Sequence, residues 1–211
     1  MRLKELESSL QDLSGFDEPK ITLEQYCTTP HLAARMLYTA HSVYDDIESK
    51  VVADFGCGCG ILSIASNLLE SEFNMALDID LSALKIAQKN CSNYEVEVDF
   101  VLADIKSDSL YQWKNKVDTI VMNPPFGTKT DKGIDMIFLK KALEIATTSV
   151  YSLHKSSTRE HIKKKAKEWN VDCEIIAEMK FDVPMMYKFH KKKSVDIEVD
   201  FFRFSKKESR N

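Results

Sequence analysis

The sequence of 211 residues predicts an α/β fold: a doubly wound, mostly parallel sheet of seven strands whose last strand is antiparallel. Short apolar runs alternate with amphipathic segments along most of the chain, which is typical of strands joined by right-handed helical crossovers. The last two apolar runs have no helix between them, so we expect them to pair as an antiparallel hairpin. Residues 1–205 are expected to form a single domain, followed by a frayed tail at residues 206–211.

A helical extension is expected to precede the first strand, over residues 1–45. Leucines recur at helical spacing in residues 3–13, which predicts a short amphipathic helix. Thr29 is a favourable N-cap, and Pro30 suits the first helical position because the N–H that it lacks would have no partner there. A second helix is therefore predicted over residues 31–43.

The other elements are predicted from the two-residue period of strands and the period of about 3.6 residues of helices. Strands are predicted at residues 51–55, 73–77, 96–103, 117–122, 149–153, 171–180 and 195–204. Helices are predicted at residues 61–69, 81–91, 135–146 and 157–169. Ser157 and Glu160 are expected to form a capping box at the start of the last helix.

Three alternating glycines, Gly56, Gly58 and Gly60, lie between Asp54 at the end of the first strand and the next helix. Glycine permits positive φ and has no Cβ, so a ligand can lie against the backbone of such a loop. Asp78 ends the next strand, and we expect it beside the loop, where its oxygens can accept both hydroxyls of a ribose. For Asp80, two residues later, capping of the following helix is the preferred interpretation.

The spacing of these residues favours S-adenosylmethionine over a dinucleotide. The loop has the pattern Gly-x-Gly-x-Gly, whereas dinucleotide loops have Gly-x-Gly-x-x-Gly. Asp104 ends the third strand, and its carboxylate can accept from an adenine amino group, with the backbone of Ile105 nearby. Carboxylates at successive strand ends would attract a cationic sulfonium and repel a pyrophosphate.

The fourth strand ends at a stiff loop with the sequence Asn123-Pro124-Pro125-Phe126. The two prolines fix φ and remove two backbone donors, so the strand must end there. The Asn123 oxygen and the Pro124 carbonyl can accept the two hydrogens of a planar amino group, and Phe126 can cover the attached ring. By itself, the loop suits adenine, guanine or a glutamine side chain, and a plain strand-terminating turn is the alternative.

The charge is distributed unevenly along the chain, whose net charge is −4. Residues 1–128 carry 10 Lys/Arg against 20 Asp/Glu, whereas residues 129–211 carry 19 against 13. The basic half indicates a face that meets a polyanion. Its densest cluster can contact phosphates and stack on a base, although a solvated loop is the alternative. The predicted RNA-binding residues are Tyr187, Lys188, Phe189, Lys191, Lys192 and Lys193.

Several classes of protein are excluded by composition. The five cysteines have no disulfide spacing, and Cys57 and Cys59 lack the second ligand pair of a zinc site, so we predict no metal. No stretch approaches the roughly 20 apolar residues of a membrane span, and the charged start is unlike a signal peptide. We therefore expect a protein of the nucleus, including the nucleolus, and of the cytoplasm.

With these residues in place, the chain resembles the class I S-adenosylmethionine-dependent amino-methyltransferases, which have a Rossmann-like fold. Over nearly its whole length it is similar to the eukaryotic enzymes that form N6-methyladenosine in small-subunit (18S) ribosomal RNA. Besides the glycine loop, the similarity rests on residues 24–30, 123–129, 154–160 and 188–193. Cys27 departs from the family, which more often has proline at this position.

The resemblance implies S-adenosylmethionine as cofactor, S-adenosylhomocysteine as product, and contacts of Gln25 and Thr28 with the methionine part of the cofactor. It also implies a heterodimer with a small zinc-binding activator, the tRNA methyltransferase 112 homologue, which would protect an apolar third strand at the sheet edge. The expected catalytic residues are Asn123, Pro124, Pro125 and Phe126. The expected cofactor-binding residues are Gln25, Thr28, Asp54, Gly56, Gly58, Gly60, Asp78, Ile79, Asp104, Ile105 and Asn123.

Other functions stay open at this point. Release-factor glutamine-N5 methyltransferases use a similar loop, usually with Tyr in place of Phe126, and guanine-N2 methyltransferases of ribosomal RNA carry the same four residues. A non-catalytic RNA-binding scaffold could keep the fold, although the intact glycines and Asp78 argue against it. The basic cluster favours RNA over a glutamine side chain, and the choice of adenine rests on the resemblance.

Overall fold

A computed structural model of the chain describes residues 1–127, 131–184 and 194–207. The strands are β1 (Val51–Phe55), β2 (Phe73–Asp78), β3 (Asp99–Leu102), β4 (Thr119–Met122), β5 (Ser149–Lys155), β6 (Val171–Pro184) and β7 (Ser194–Lys206). In the described part of the chain, these seven strands form one sheet in the order β3-β2-β1-β4-β5-β7-β6. Strand β7 is antiparallel to β5 and β6, and the other neighbouring pairs are parallel, which confirms the predicted fold class.

Helices connect the parallel strands, and two of the helices begin with the expected caps. Their bounds are α1 (Leu3–Ser9), α2 (Pro30–Ser42), α3 (Ile61–Leu68), α4 (Leu81–Asn93), α5 (Ile134–Ile145) and α6 (Arg159–Glu168). The Thr29 hydroxyl accepts from the Leu32 N–H at 3.3 Å, so Thr29 caps α2 as predicted. Asp80 caps α4 in the same way, since its carboxylate accepts from the Ser82 N–H at 3.0 Å.

The two faces of the sheet bury alternate residues of the strands, as the period of two requires. Val52, Val121 and Tyr151 belong to the apolar core that includes α1, α2 and α3. Ile120 and Val150, their neighbours in sequence, belong to the core on the other face with α5 and α6. Helices therefore cover both faces, and the carboxyl ends of the parallel strands are left to form a site.

The first helix and the third strand are shorter than the sequence predicts. Helix α1 stops at Ser9 because the chain then turns to meet α4: Asn90 accepts from the Ser14 N–H and donates to its carbonyl, at 3.1 and 2.9 Å. Strand β3 begins at Asp99 and pairs with β2 alone, so the predicted position at the sheet edge is confirmed. Val96 packs against the core without joining the strand.

The capping box predicted at Ser157 and Glu160 is wrong. Residues 156–158 form a 3-10 turn, and Thr158 is the N-cap of α6 without a side-chain capping bond, since its hydroxyl donates to the Lys155 carbonyl. A long-range ion pair fixes the start of the helix instead, because the buried Asp200 of β7 accepts from the Arg159 guanidinium at 2.7 Å. Across the described residues, no helix is both long and apolar enough to cross a membrane.

Candidate active site

A cavity of about 260 Å³ opens at the carboxyl ends of the parallel strands. A smaller cavity of about 30 Å³ adjoins it, since both are lined by Tyr26, Gly56, Gly58 and Asn123. The larger cavity contains most of the predicted site residues: Gln25, Gly56, Gly58, Asp78, Ile79, Asp104, Ile105, Asn123 and Pro125. Thr28 and Asp54 line the smaller one. The structure thus brings together residues from five separate segments of the chain.

The glycine loop joins β1 to α3 and has two separate tasks. Gly58 has φ +54° and donates its N–H to Asp78 at 2.9 Å, so the loop is fixed to the end of β2. Gly60 lines neither cavity and begins α3 with φ +84°. A Cβ at Gly60 would lie 3.0 Å from that of Ala87, so this glycine allows α3 and α4 to pack closely. In this structure Gly60 has a packing role, and its contact with the cofactor stays a prediction.

Asp78 lies at the end of the cavity where the cofactor is predicted to bind, which we call the cofactor end. Its two oxygens accept from the N–H groups of Gly58 and Asp80, each at 2.9 Å. Burial raises the pKa of this carboxyl. Each carboxylate oxygen has a second lone pair, so both can also accept from the hydroxyls of a ribose in the cavity. Ile79, beside it, is 52% exposed and offers an apolar surface to a flat ring.

Asp54 is a buried carboxyl with one oxygen engaged and the other free in the described structure. Its Oδ2 accepts from the backbone N–H and the hydroxyl of Ser63, at 3.1 and 2.7 Å. Its Oδ1 has no hydrogen-bond partner among the described residues. Burial raises the pKa of Asp54 to about 7. A buried acceptor of this kind fits a cationic or N–H-bearing ligand group in the adjoining cavity.

Asp104 and Ile105 form the opposite wall of the larger cavity. The Asp104 carboxylate accepts from the Lys106 N–H at 2.9 Å and is otherwise exposed, while Ile105 is buried. The Lys106 ammonium pairs with Asp131 at 2.7 Å, and both of these residues also line the cavity. This wall can accept from an amino group while excluding water from one side of a planar ring.

Asn123 extends from the end of β4 and presents an unpaired oxygen. Its amide nitrogen donates to the Thr28 hydroxyl at 2.9 Å. The Oδ1 atom is buried and has no partner within the described residues. Because the nitrogen is engaged, the amide is held in one orientation, with its oxygen left to accept a hydrogen bond. This is the acceptor that the sequence predicts for a planar amino group.

Phe126 occupies a different place from the one its predicted stacking role suggests. It is only 8% exposed, and its ring packs against that of Tyr26 with the centroids 6.3 Å apart. Pro125 lines the larger cavity, whereas Pro124 and Phe126 do not. Stacking of Phe126 on a substrate base stays a prediction, and in this structure the ring supports the loop from behind.

The segment before α2 contributes more to the site than the sequence reveals. The Gln25 amide accepts from the Lys20 N–H and donates to Asp80, both at 2.8 Å, and Lys20 pairs with Asp80 at 2.6 Å. Glu24 accepts from the Phe126 N–H. Cys27, the departure from the family, places its thiol 3.0 Å from that of Cys59 in the glycine loop. Apart from the bond between Lys20 and Gln25, no local pattern predicts these contacts, because their partners lie dozens of residues away.

The predicted RNA-binding residues Tyr187, Lys188, Phe189, Lys191, Lys192 and Lys193 lie outside the described residues. Their role therefore stays a prediction. In the described part of the chain, a basic residue next to the loop is Lys155, whose ammonium lies 5.8 Å from the ring centroid of Phe126.

Comparisons with known proteins agree with this geometry. The model of the methyltransferase small domain family matches residues 32–181. A relative from Danio rerio, rRNA N(6)-adenosine-methyltransferase METTL5, is 55% identical over 97% of this chain and 99% of its own length. The Drosophila melanogaster protein of that name is 48% identical over 97% and 96%. A crystal structure from Pyrococcus horikoshii is 36% identical, covers 98% of both chains and has a TM-score of 0.86. The chain is therefore a methyltransferase that belongs to the methyltransferase small domain family, in the group that includes the METTL5 enzymes.

Proposed function

We propose that the chain transfers a methyl group from S-adenosylmethionine to N6 of an adenine in small-subunit (18S) ribosomal RNA. The observation that carries this proposal is the buried Oδ1 of Asn123, which has no hydrogen-bond partner among the described residues and lies at the cavity where β4 ends. A buried acceptor without a partner is unfavourable by roughly 1–3 kcal/mol, so its persistence at a cavity points to a ligand donor. The names of the curated relatives support adenine in ribosomal RNA as the source of that donor.

The residues around the glycine loop fit the cofactor. S-adenosylmethionine would supply an activated methyl group on a cationic sulfonium. Asp78 would accept from the ribose hydroxyls, and Asp104 would accept from the adenine amino group beside Ile79. The free oxygen of Asp54 would accept from the amino group of the methionine part, next to Thr28 in the smaller cavity. Together these carboxylates give the negative potential that a cation requires.

The loop after β4 would hold the reacting nitrogen. The Asn123 oxygen and the Pro124 carbonyl would accept the two hydrogens of the adenine amino group after the base leaves its stack. Hydrogen bonds from the amine to these acceptors raise electron density on nitrogen as the new C–N bond forms. Positioning of nitrogen and methyl group in line would supply most of the rate, as expected for two reactants held by one rigid site.

The RNA partner is supported by charge. The basic half of the chain contains the predicted RNA-binding cluster at residues 187–193. If its four lysines contact single-stranded RNA, each should contribute a slope of roughly −0.7 to the dependence of log K on log salt concentration.

A small zinc-binding activator, homologous to tRNA methyltransferase 112, is proposed as the protein partner in a heterodimer. Among the described strands, β3 is the edge of the sheet and pairs with β2 alone, and an edge strand can offer one row of its backbone groups to a further strand. Leu102, which ends β3, is 54% exposed. We also propose that the complex acts in the nucleolus and the cytoplasm, where ribosomal RNA is made and used.

Mass spectrometry of nucleosides tests the proposed function. Small-subunit ribosomal RNA is incubated with the copurified complex and S-adenosylmethionine, and N6-methyladenosine is expected to appear. Asn123→Ala should lower its rate of formation by about 10²- to 10³-fold, because an oriented acceptor is lost. Asn93→Ala, an exposed position at the end of α4, is the matched control and should keep the wild-type rate.

Three other outcomes would contradict the proposal in whole or in part. Methylation of a glutamine in a release factor, with ribosomal RNA unmodified, would assign the chain to the glutamine methyltransferases. Calorimetry that detects no S-adenosylmethionine binding with the activator present would favour a non-catalytic scaffold. Undiminished methylation by Asn123→Ala would remove the role given to the loop.

A further inference from the structure

Glu24 is a buried acidic residue that belongs to none of the predicted site residues. It is 9% exposed and follows a 3-10 turn, Ile21–Leu23, in left-handed backbone conformation with φ 49°. Residues other than glycine seldom adopt this conformation, and it persists where surrounding contacts hold it, often at functional sites. Glu24 also lines the larger cavity together with Asn123 and Pro125.

The most informative contact of Glu24 is a hydrogen bond to the loop after β4. Its Oε2 accepts from the Phe126 N–H at 2.8 Å, between residues 102 positions apart in the sequence. An ionised acceptor in a buried setting makes a stronger hydrogen bond than a neutral one. The bond therefore attaches the end of the loop to the segment before α2.

Because the loop contains two consecutive prolines, this hydrogen bond fixes the position of the whole loop. Pro124 and Pro125 have no N–H, so Phe126 supplies the first backbone donor after Asn123. The two proline rings make the peptide stiff, so fixing the Phe126 N–H also fixes the Pro124 carbonyl and the start of the loop. Because the loop is stiff, a few contacts are enough to hold it in place. Glu24 provides such a contact at the far end of the loop, at Phe126.

Tyr26 contacts both Glu24 and the side chain of Phe126. Its hydroxyl donates to the Glu24 carboxylate at 3.3 Å, and its ring packs between Phe126 and Phe181, with centroids 6.3 and 5.6 Å apart. The backbone and the ring of Phe126 are thus both held by residues of one short segment. At the near end of the loop, Thr28 of the same segment accepts from Asn123.

We propose that Glu24 is a positioning residue for methyl transfer, which acts through the Phe126 N–H to place the Asn123 oxygen and the Pro124 carbonyl at the reacting amine. This inference rests on the proposed function and extends it to a residue outside the loop. Its prediction is selective: loss of the acceptor slows methyl transfer within the bound complex and leaves the affinity for S-adenosylmethionine nearly unchanged, since Asp78 and the glycine loop lie on other strands.

The test uses two substitutions of similar volume in the full-length chain, Glu24→Met and Glu24→Gln. Methionine fills the space without an acceptor, whereas glutamine restores a neutral oxygen. Glu18→Ala, an exposed carboxylate nearby in sequence, is the control. Two quantities are measured: the hydrogen-exchange rate of the Phe126 amide without RNA, and the single-turnover rate of RNA methylation at saturating substrate.

Glu24→Met should accelerate exchange of the Phe126 amide at least tenfold and lower the single-turnover rate about 10- to 100-fold. Glu24→Gln should restore both quantities to within about fivefold of wild type, which a role in general stability would not produce.

A folded Glu24→Met variant with wild-type exchange and turnover would overturn the proposal. So would a wild-type Phe126 amide that exchanges as fast as an unstructured peptide, a result that needs no variant to fold. If wild type shows no RNA methylation, the proposed function fails, while the exchange data still decide whether Glu24 holds the loop.

Discussion

The cofactor end and the amine end of the cavity are held in place by different kinds of contact. At the cofactor end, Asp78 ends β2 and Gly58 lies in the loop after the adjacent parallel strand β1, only 20 positions earlier. At the amine end, Asn123 and Phe126 are held by Thr28 and Glu24, which lie 95 and 102 positions earlier. The cofactor end is thus built from neighbouring crossovers, whereas the amine end depends on the segment before α2. Changes at the two ends should therefore separate cofactor affinity from the rate of transfer.

The largest effect on cofactor affinity is expected from Asp78→Asn. Both Asp78 oxygens accept from backbone N–H groups, and an amide nitrogen in place of one oxygen would face a donor. We expect the dissociation constant of S-adenosylmethionine, measured by calorimetry, to rise about 10- to 100-fold. Asp99→Asn, at the exposed start of β3, is the control and should bind as wild type does. Unchanged affinity of Asp78→Asn would remove Asp78 as the anchor of the cofactor end.

A comparison of two glycines at helix N-termini separates the energetic cost of backbone strain from the cost of steric crowding. Gly60 begins α3 with φ +84°, and Gly133 begins α5 with φ +85°. A Cβ would meet Ala87 at 3.0 Å in the first case and nothing within 4 Å in the second. Both Gly→Ala changes should destabilise the fold, and Gly60→Ala should cost about 1–2 kcal/mol more in the free energy of unfolding. Equal losses in denaturant titrations would show that close packing of α3 on α4 has no energetic weight.

A smaller effect is expected from the protonation of Asp54. Burial raises its pKa to about 7, so the carboxyl is mostly neutral at pH 6 and mostly charged at pH 8. A cationic ligand needs the charged form, so S-adenosylmethionine affinity should rise about tenfold over that interval, as the charged fraction does. Asp54→Asn should bind more weakly and lose this part of the pH dependence.

Ionisation of Asp54 has the opposite consequence for the unliganded protein, since it lowers the stability of the fold. Because the folded-state pKa lies above the unfolded value, the contribution of Asp54 to stability is complete at acid pH and is lost as pH rises through about 7. Thermal unfolding of the unliganded protein should show a drop in Tm between pH 5 and pH 8 that is smaller in Asp54→Asn. A pH dependence shared equally by both proteins would assign it to other groups.

Local patterns were enough to predict the sheet, the glycine loop and the Asn-Pro-Pro-Phe loop. Asp78 and Asp104 could be placed at the cavity because strand ends in a parallel sheet meet at one edge. The start of α6 was misjudged because a 3-10 turn precedes the helix and Asp200, on a distant strand, pairs with Arg159 in its first turn. The roles of Glu24 and the packing of Phe126 were missed for the same reason, since both depend on contacts across about 100 positions. Sequence periodicity carries no information about such pairs.

The claim that the segment before α2 orients the amine acceptor is tested most directly by a double-mutant cycle of Thr28→Val and Asn123→Ala. The quantity measured is the single-turnover rate of RNA methylation at saturating S-adenosylmethionine. Thr28→Val removes the acceptor for the Asn123 amide nitrogen and should slow the wild-type enzyme about tenfold, yet slow Asn123→Ala less than about twofold. An equal loss in both backgrounds would mean that Thr28 acts independently of Asn123, and would contradict the orienting role of this segment.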